Sequence, residues 1–296
     1  MIRWEVTQSH SGISLQVFLK EKMGGTLSAK QIKRAIDAGK CRLNGKLERF
    51  SSRLVGTGDQ IELDEVNPVE KPQHSDFDEP GRILYADEDL IAYNKPAGVS
   101  SESHDLLESM QKKFGLLILL HRLDKETTGI LLFARNEPTA KAVEALFKKR
   151  LVKKTYLAFV DGLPAKPSGT IENFLGKLHI CHGRCVWGVV PRDKGHTAKT
   201  SWEIKTRGKN ASLLICRPET GRTHQIRIHL SGLGHPILGD SLYGRSFVCD
   251  YRPRRILLHA SEIAFEHPMT KQQIVVKSSL PDDFKQAAKQ LTGRNE

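Results

Sequence analysis

Residues 116–136, LLILLHRLDKETTGILLFARN, set two apolar runs on either side of a short charged segment. LLILL and ILLF read as two buried strands that hold a loop between them, with Thr127, Thr128 and Gly129 shaping its turn. The loop carries Arg122 and Asp124 where the first strand runs out. An ion pair at a strand end is the ordinary reading of two such charges, so the rest of the chain must decide whether they do more.

Working outward, the same signature recurs in RILYADEDLIAYNK, KTYLAFVDG, KTSWEIKTRG, ASLLICRP and QQIVVKSSL, which read as further strands. One helix is predicted among them: EPTAKAVEALFKKR sets Ala142, Leu146 and Phe147 on one side. It ends in a basic cluster, Lys148, Lys149, Arg150, Lys153 and Lys154, that leads into Tyr156. Residues 82–296 are therefore expected to form a mostly β, mixed α+β domain.

Upstream, SLQVFLKEKMGG places Leu15, Phe18 and Leu19 at helical spacing before a Gly-Gly stop. SAKQIKRAIDAGK offers Ser28 as N-cap, Ile32, Ala35 and Ile36 as an apolar stripe, and Gly39 as a stop. Lys30, Lys33, Arg34 and Lys40 are left for a positive surface. CRLNGKLE signals a hairpin and GTGDQIEL a closing strand, so residues 1–66 read as a small α/β domain. Residues 67–81, NPVEKPQHSDFDEPG, rich in Pro and acid, read as a linker.

The chain has 296 residues with 46 Lys+Arg against 34 Asp+Glu, a net charge of +12 that favours a polyanionic partner. The excess is +3 over residues 1–66, −5 over 67–90 and +14 over 91–296, so the larger part is the more basic. Five cysteines, an odd count without a C-x-x-C pair, argue for a reducing cytoplasm over a disulfide scaffold. No stretch has the apolar length of a membrane span, and the N-terminus lacks the apolar core of a signal peptide. A cytoplasmic protein, with no membrane partner, is expected.

A second dense stretch, RPETGRTHQIRIHLSGLGHPILGDSLYG, holds Arg222, His224, Arg227 and His229 in one short segment. Strand alternation would put Thr223, Gln225, Arg227 and His229 on one face. A charged face there needs a carboxylate before it can be buried, and Asp124 is a candidate. The bland alternative is a solvated strand that touches RNA and catalyses nothing. HICHGRC, residues 179–185, has the side-chain types of a zinc site, but seven contiguous residues seldom wrap a metal tetrahedrally, so no metal is expected. No G-x-S-x-G elbow, Walker loop or dinucleotide glycine pattern is found.

Taken together these clusters resemble the RluA-type pseudouridine synthases over nearly the whole chain. The matching motifs are HRLDKETTGIL, NKPAG, KTY, GRTHQIRIH, GHPILGDSLYG and LLHASEIAFEHP. Residues 12–65 resemble the small RNA-binding domain named after ribosomal protein S-four, although its usual Arg-Leu-Asp opening is Ser14-Leu15-Gln16 here.

The resemblance implies a mostly antiparallel catalytic sheet and isomerisation of uridine in RNA to pseudouridine, with no cofactor and no metal. Asp124 would be the catalytic aspartate, as nucleophile or as base on the ribose; Tyr156 would stack on the uracil and Arg227 would pair with Asp124. Tyr156 would also act in proton transfer, Leu258 would pack beside the base, Arg122 would fill the gap left in the RNA, and His121 and Arg222 would line the substrate site. The basic cluster from Lys148 to Lys154 and the RPRR run, Arg252–Arg255, would hold phosphates. Large-subunit ribosomal RNA is the first expected substrate and transfer RNA the second, with the protein acting as a monomer. Two other readings compete: a non-catalytic RNA-binding or ribosome-assembly protein, and a metal-dependent RNA hydrolase using His121, Asp124 and HICHGRC.

Overall fold

Ser14 begins the first helix by accepting from the Val17 N–H at 3.4 Å, and α1 (Leu15–Lys22) follows. Before it lies β1 (Ile2–Glu5), and after it α2 (Ala29–Asp37), β2 (Cys41–Leu43), β3 (Lys46–Glu48) and β4 (Gln60–Leu63). Ser28 and Gln31 cap α2 reciprocally: the Gln31 N–H donates to the Ser28 hydroxyl at 3.3 Å and the Ser28 N–H to Gln31 Oε1 at 2.8 Å. The strands form one sheet in the order β1-β4-β2-β3. Leu15, Phe18 and Leu19 of α1 pack with Ile32, Ala35 and Ile36 of α2 over Cys41, Ile61 and Leu63. Burial of these apolar faces, more than helix propensity, holds segments of eight and nine residues helical.

The computed structural model describes residues 2–37, 39–48, 51–64, 81–181, 184–244 and 246–293. The chain divides into two compact units, Met1–Asp76 and Phe77–Glu296. All of the 67–81 linker reading except Gly81 lies outside the described residues.

The second unit runs β5 (Ile83–Ala86), β6 (Leu90–Lys95), α3 (His104–Phe114), β7 (Ile118–Leu119), β8 (Thr128–Ala134), α4 (Glu137–Lys148) and β9 (Lys153–Asp161). It continues with β10 (Ser168–Cys181), β11 (Arg184–Val189), β12 (His196–Arg207), β13 (Ala211–Pro218), α5 (Gln225–Gly232), β14 (Leu258–Glu266), β15 (Gln273–Lys277) and α6 (Asp282–Thr292). One sheet of 11 strands takes the order β11-β10-β12-β13-β9-β14-β8-β6-β5, with β15 on β14 and β7 on β8. All of its pairings are antiparallel except β14 with β8. The architecture is a mixed, mostly antiparallel sheet with few helices, the α+β class. Among the described residues no helix is long and apolar enough to cross a membrane.

ILLF reads as an unbroken apolar run because β8 is buried on both faces. Ile130, Leu132 and Ala134 pack against Ala140 and Val143 of α4, while Leu131 and Phe133 pack against Leu106 and Met110 of α3. The buried stripe of α4 is thus Ala140 and Val143, with Leu146 and Phe147 partly covered and Ala142 at the edge, one step round from the stripe read in the sequence. Gly129 has φ +106°, and a Cβ there would lie 2.2 Å from the Ala260 carbonyl oxygen. That close approach is the parallel β8–β14 contact, and it requires glycine.

The middle of the sheet repeats this two-sided logic. Phe159 and Leu213 face Phe284, Ala287 and Ala288 of α6, while Ala158, Val160, Leu214 and Cys216 face Ile226 and Leu230 of α5. Two expectations are corrected here. The second unit holds four α-helices among the described residues, where the sequence predicted one, because α3 and α6 are short amphipathic pieces over a sheet. QIRIHLSG is helix α5 and not a strand, since the segment is enclosed by the sheet and the loops beside it.

Candidate active site

Leu119 closes β7, and after eight intervening residues the chain re-enters the sheet at Thr128. The loop between them is fixed from within. The Thr127 N–H donates to the Asp124 carbonyl at 3.0 Å, and the Leu123 N–H and carbonyl are both held by the Ser101 hydroxyl at 2.9 Å. Lys95, fully buried at the end of β6, donates to the Pro96, Val99 and Lys125 carbonyls at 2.8, 2.9 and 3.2 Å. The NKPAG and HRLD segments are thereby tied together beneath the loop.

Asp124 opens into a cavity of about 560 Å³ bounded by this loop, the end of α4, β9, the 218–224 segment, the start of α5 and Leu258. Its side chain is 19% exposed, and its Oδ2 accepts from Arg227 Nη1 at 3.1 Å. Arg227 is held more firmly by another residue. Its Nε donates to Asp240 Oδ2 at 2.7 Å and its Nη2 to Asp240 Oδ1 at 2.9 Å, and Asp240 is fully buried. Asp240 Oδ1 also accepts from the Leu242 and Tyr243 N–H groups, and the guanidinium lies 5.0 Å from the Tyr243 ring centroid. Burial opposes the charge on Arg227, but Asp240 and then Asp124 outweigh it and raise its pKa. Because Arg227 engages only Oδ2, Asp124 Oδ1 is left toward the cavity, 3.9 Å from His224 Nε2.

Tyr156 stands on β9 opposite Cys216 and Ala260, half-buried between two core clusters, with Leu258 at the head of β14 beside it. Burial, and then the Asp124 carboxylate, push the Tyr156 phenol well above its ordinary pKa, so it is a neutral ring at physiological pH. Lys154 enters the cavity wall and donates to the Thr220 carbonyl at 3.3 Å, and burial lowers its pKa to about 8. Thr127, 2% exposed, also lines the cavity, and its hydroxyl has no hydrogen-bond partner among the described residues.

The sequence-predicted residues therefore separate into groups. Asp124, Tyr156, Arg227, Leu258, Lys154, Arg222 and His121 line one cavity. His121 faces inward with Nε2 accepting from the Leu132 N–H at 3.2 Å, its ring 5.6 Å from Phe147, and burial lowers its pKa to about 4. Arg222 anchors its Nε on the Thr197 carbonyl at 3.1 Å. Arg122 and Lys148 and Arg150 stand at the rim; the Arg122 side chain is 61% exposed and ion-paired to Glu102 at 3.3 Å. Lys149 and Lys153 are exposed.

In the first unit Lys40 is exposed and Lys33 half-buried, while the side chains of Lys30 and Arg34 lie outside what is described. The RPRR run does not present one basic face. Arg255 is buried, gripping Asp283 of α6 at 2.5 and 2.7 Å, and Arg252 donates to the Cys249 carbonyl. Of HICHGRC, residues 179–181 end β10 and residues 184–185 begin β11, with His179 opposite Val186; His182 and Gly183 lie outside the described residues.

Asp240, Tyr243 and His224 were assigned no role from the sequence. The first two lie in GDSLYG, which enters the sequence reading only as part of the matching motif GHPILGDSLYG.

This geometry has known relatives. Residues 89–232, which span both Asp124 and Arg227, match the RNA pseudouridylate synthase family model. A ribosomal large subunit pseudouridine synthase D from Zymomonas mobilis is 32% identical over 90% of this chain and 90% of its own length. The chain belongs to the RNA pseudouridine synthase family. Its members are isomerases, and a ribosomal large subunit pseudouridine synthase C from Haemophilus influenzae, 30% identical over 97% of this chain and 94% of its own, is another. Among solved structures, Human RNA Pseudouridylate Synthase Domain Containing 4 matches with a TM-score of 0.58 and 28% identity, covering 70% of this chain and 91% of that one. The family likeness thus spans the sheet, the Asp124 loop and the α5 segment that carries Arg227.

Proposed function

We propose that this isomerase converts uridine to pseudouridine in large-subunit ribosomal RNA, with Asp124 as the reacting carboxylate. The observation that carries the assignment is the Asp124 carboxylate in the cavity that Tyr156 and Leu258 also line, one oxygen tied to Arg227 and the other 3.9 Å from His224 Nε2 and not held by Arg227. The names of the relatives in Zymomonas mobilis and Haemophilus influenzae favour large-subunit RNA over transfer RNA as the substrate.

In the reaction the bond from ribose C1′ to ring N1 breaks and one from C1′ to ring C5 forms, while a proton leaves C5 and one is gained at N1. Composition does not change, so neither oxidant nor co-substrate is needed. Whether the carboxylate attacks or removes a ribose proton, it must offer a free oxygen, and Oδ1 is that oxygen. A base in a helix must first be flipped out, at roughly a few kcal/mol. Stacking on an aromatic ring returns roughly 1–3 kcal/mol, which is the part for Tyr156, with Leu258 closing the other side and Arg122 at the rim entering the gap in the stack. The Tyr156 phenol, neutral and raised in pKa, acts here through its ring. Lys148, Lys149, Arg150, Lys153 and Lys154 hold phosphates without selecting the uridine.

The first unit serves in this scheme as a second RNA-binding module of the ribosomal protein S-four type, with Lys33 and Lys40 toward RNA. The protein works as a cytoplasmic monomer; its described free cysteines, 41, 185, 216 and 249, suit a reducing compartment.

The test is pseudouridine mapping of total RNA from cells with and without the gene, complemented by wild type or by Asp124→Asn. One or more large-subunit positions should vanish without the gene, return with wild type and stay absent with Asp124→Asn, while purified Asp124→Asn still binds RNA. Modification restored by Asp124→Asn would refute the assignment of Asp124, and vanishing transfer RNA positions would refute the substrate.

A further inference from the structure

His224 has the only non-glycine left-handed backbone within the cavity lining apart from Arg150, with φ 57° and ψ 19°, among the described residues. It immediately precedes α5, yet its side chain caps no helix N–H. Its imidazole is instead turned into the cavity, 20% exposed, between Asp124 and Tyr243. A non-glycine residue in this region costs free energy relative to glycine, so the side chain must be held there by what it touches.

What it touches determines its proton. His224 Nδ1 lies 2.9 Å from the Tyr243 hydroxyl, with the rings edge to face at 5.6 Å. Burial raises the pKa of the Tyr243 hydroxyl to about 12, so it keeps its proton. Among the described residues Nδ1 is the acceptor within hydrogen-bond reach of that hydroxyl, so its proton is directed at Nδ1. The proton of a neutral imidazole is then on Nε2, and Nε2 faces Asp124 Oδ1 across 3.9 Å. Burial lowers the His224 pKa, and the surrounding charges are Asp124, Arg227, Asp240 and Arg122, two of each sign.

We propose that His224 is a positioning residue that steadies the free oxygen of Asp124 through its Nε2–H, in a tautomer set by Tyr243. At 3.9 Å the two atoms are too far apart for a hydrogen bond, and a shift of under about 1 Å makes one; such contacts commonly tighten only when substrate is bound. Arg227 then holds Oδ2 from one side and His224 holds Oδ1 from the other, so the carboxylate cannot rotate as the uridine ring turns over. The inference rests on Asp124 being the reacting carboxylate.

The backbone conformation supplies the test, because the two explanations of His224 rank substitutions in opposite orders. His224→Gly accepts φ 57° freely and deletes the imidazole; His224→Asn also tolerates this region but is too short to bring a donor to the Nε2 position. His224→Gln reaches the Nε2 position with an N–H and is the worst fitted of the three to the backbone. Single-turnover rates and KM would be measured on unmodified large-subunit ribosomal RNA made by transcription, with Asp124→Asn in parallel.

If His224 positions Asp124, His224→Gly and His224→Asn lower kcat roughly 10- to 100-fold with KM little changed, as expected for losing one hydrogen bond to a charged group, and His224→Gln recovers part of the rate. Tyr243→Phe, which keeps the ring over Arg227 but frees the tautomer, lowers kcat by less. If His224 matters only for its backbone, Gly and Asn match or exceed wild type and Gln is worst, and that order overturns the proposal. Turnover by Asp124→Asn at the wild-type rate would instead overturn the assignment on which the proposal rests.

Discussion

Replacing Asp240 by Asn removes a negative charge from a place that water does not reach. Asp240 is fully buried and takes two hydrogen bonds from Arg227, at 2.7 and 2.9 Å, and two more from the Leu242 and Tyr243 N–H groups at 3.1 and 3.2 Å. Asparagine keeps the shape but sets an amide N–H₂ against a guanidinium, donor against donor. Removing one partner of a buried ion pair costs roughly 3–5 kcal/mol. Arg227 keeps its contact to Asp124, which softens the loss, so the lower end, about 3 kcal/mol, is expected here. For a unit of this length about 1 kcal/mol moves the melting temperature by roughly 2–4 °C, giving a fall of about 6–12 °C.

Asp124→Asn gives the contrast, because it breaks one 3.1 Å contact at a partly exposed oxygen and leaves the Arg227–Asp240 pair intact. Its cost should be at most about 1 kcal/mol. Differential scanning calorimetry at pH 7, with pseudouridine formation measured below both transitions, separates the two. Asp240→Asn should melt much earlier and retain slowed turnover, and Asp124→Asn should melt near wild type with no turnover. An Asp240→Asn protein within about 2 °C of wild type, or less stable behaviour from Asp124→Asn than from Asp240→Asn, would refute the view that Asp240 anchors the site.

The remaining expectations concern binding, acid stability and the loop. Lys148→Ala and Lys149→Ala, both exposed, should each weaken RNA binding and reduce the slope of log affinity against log salt by about 1, with turnover at saturating RNA kept; an unchanged slope would place phosphates elsewhere. His121, His229 and His259 are each lowered by burial to about 4 from an unfolded value of 6.5, so the unfolded chain binds more protons between those values. Stability should be complete above pH 6.5 and fall as pH drops toward 4, with a shallower fall in His229→Gln; a melting temperature flat across that window would contradict the buried neutral histidines. Gly129→Ala sets a Cβ 2.2 Å from the Ala260 carbonyl at φ +106°, and it should yield little folded protein by gel filtration; a wild-type elution profile with normal melting would show that the β8–β14 contact can open.

Strands were legible where burial leaves a signature of composition. β8 is apolar on both faces and β9, β12 and β13 alternate or run apolar, so ILLF, KTYLAFVDG, KTSWEIKTRG and ASLLICRP stood out. β10 did not, because much of it is exposed and its residues carry no period. α3 and α6 were missed for a related reason: each shows the core only a few residues, Leu106 and Met110 in one and Phe284, Ala287 and Ala288 in the other. In sequence, such short stripes are hard to tell from loop.

α5 failed in the opposite direction, and the reason lies in the partners of its polar side chains. A helix enclosed on all sides loses its amphipathic period, and Gln225, Arg227 and His229 alternate with Ile226, Ile228 and Leu230 as a strand would. Each of those polar side chains is buried only because a partner from a distant segment meets it. Gln225 joins Thr200, Lys199 and Thr220; His229 joins Thr200 and Asn173; Arg227 joins Asp240 and Asp124. Residue types at motif positions could point to Asp124 and Arg227, which touch each other across 103 positions of sequence. They could not reveal that Arg227 is first the partner of Asp240, since that depends on how two lone pairs and a planar guanidinium are shared once the chain is folded. The consequence is chemical: a cation already neutralised by a buried carboxylate can orient Asp124 through one N–H without fully compensating its charge, which leaves the other oxygen electron-rich, as the proposed function requires.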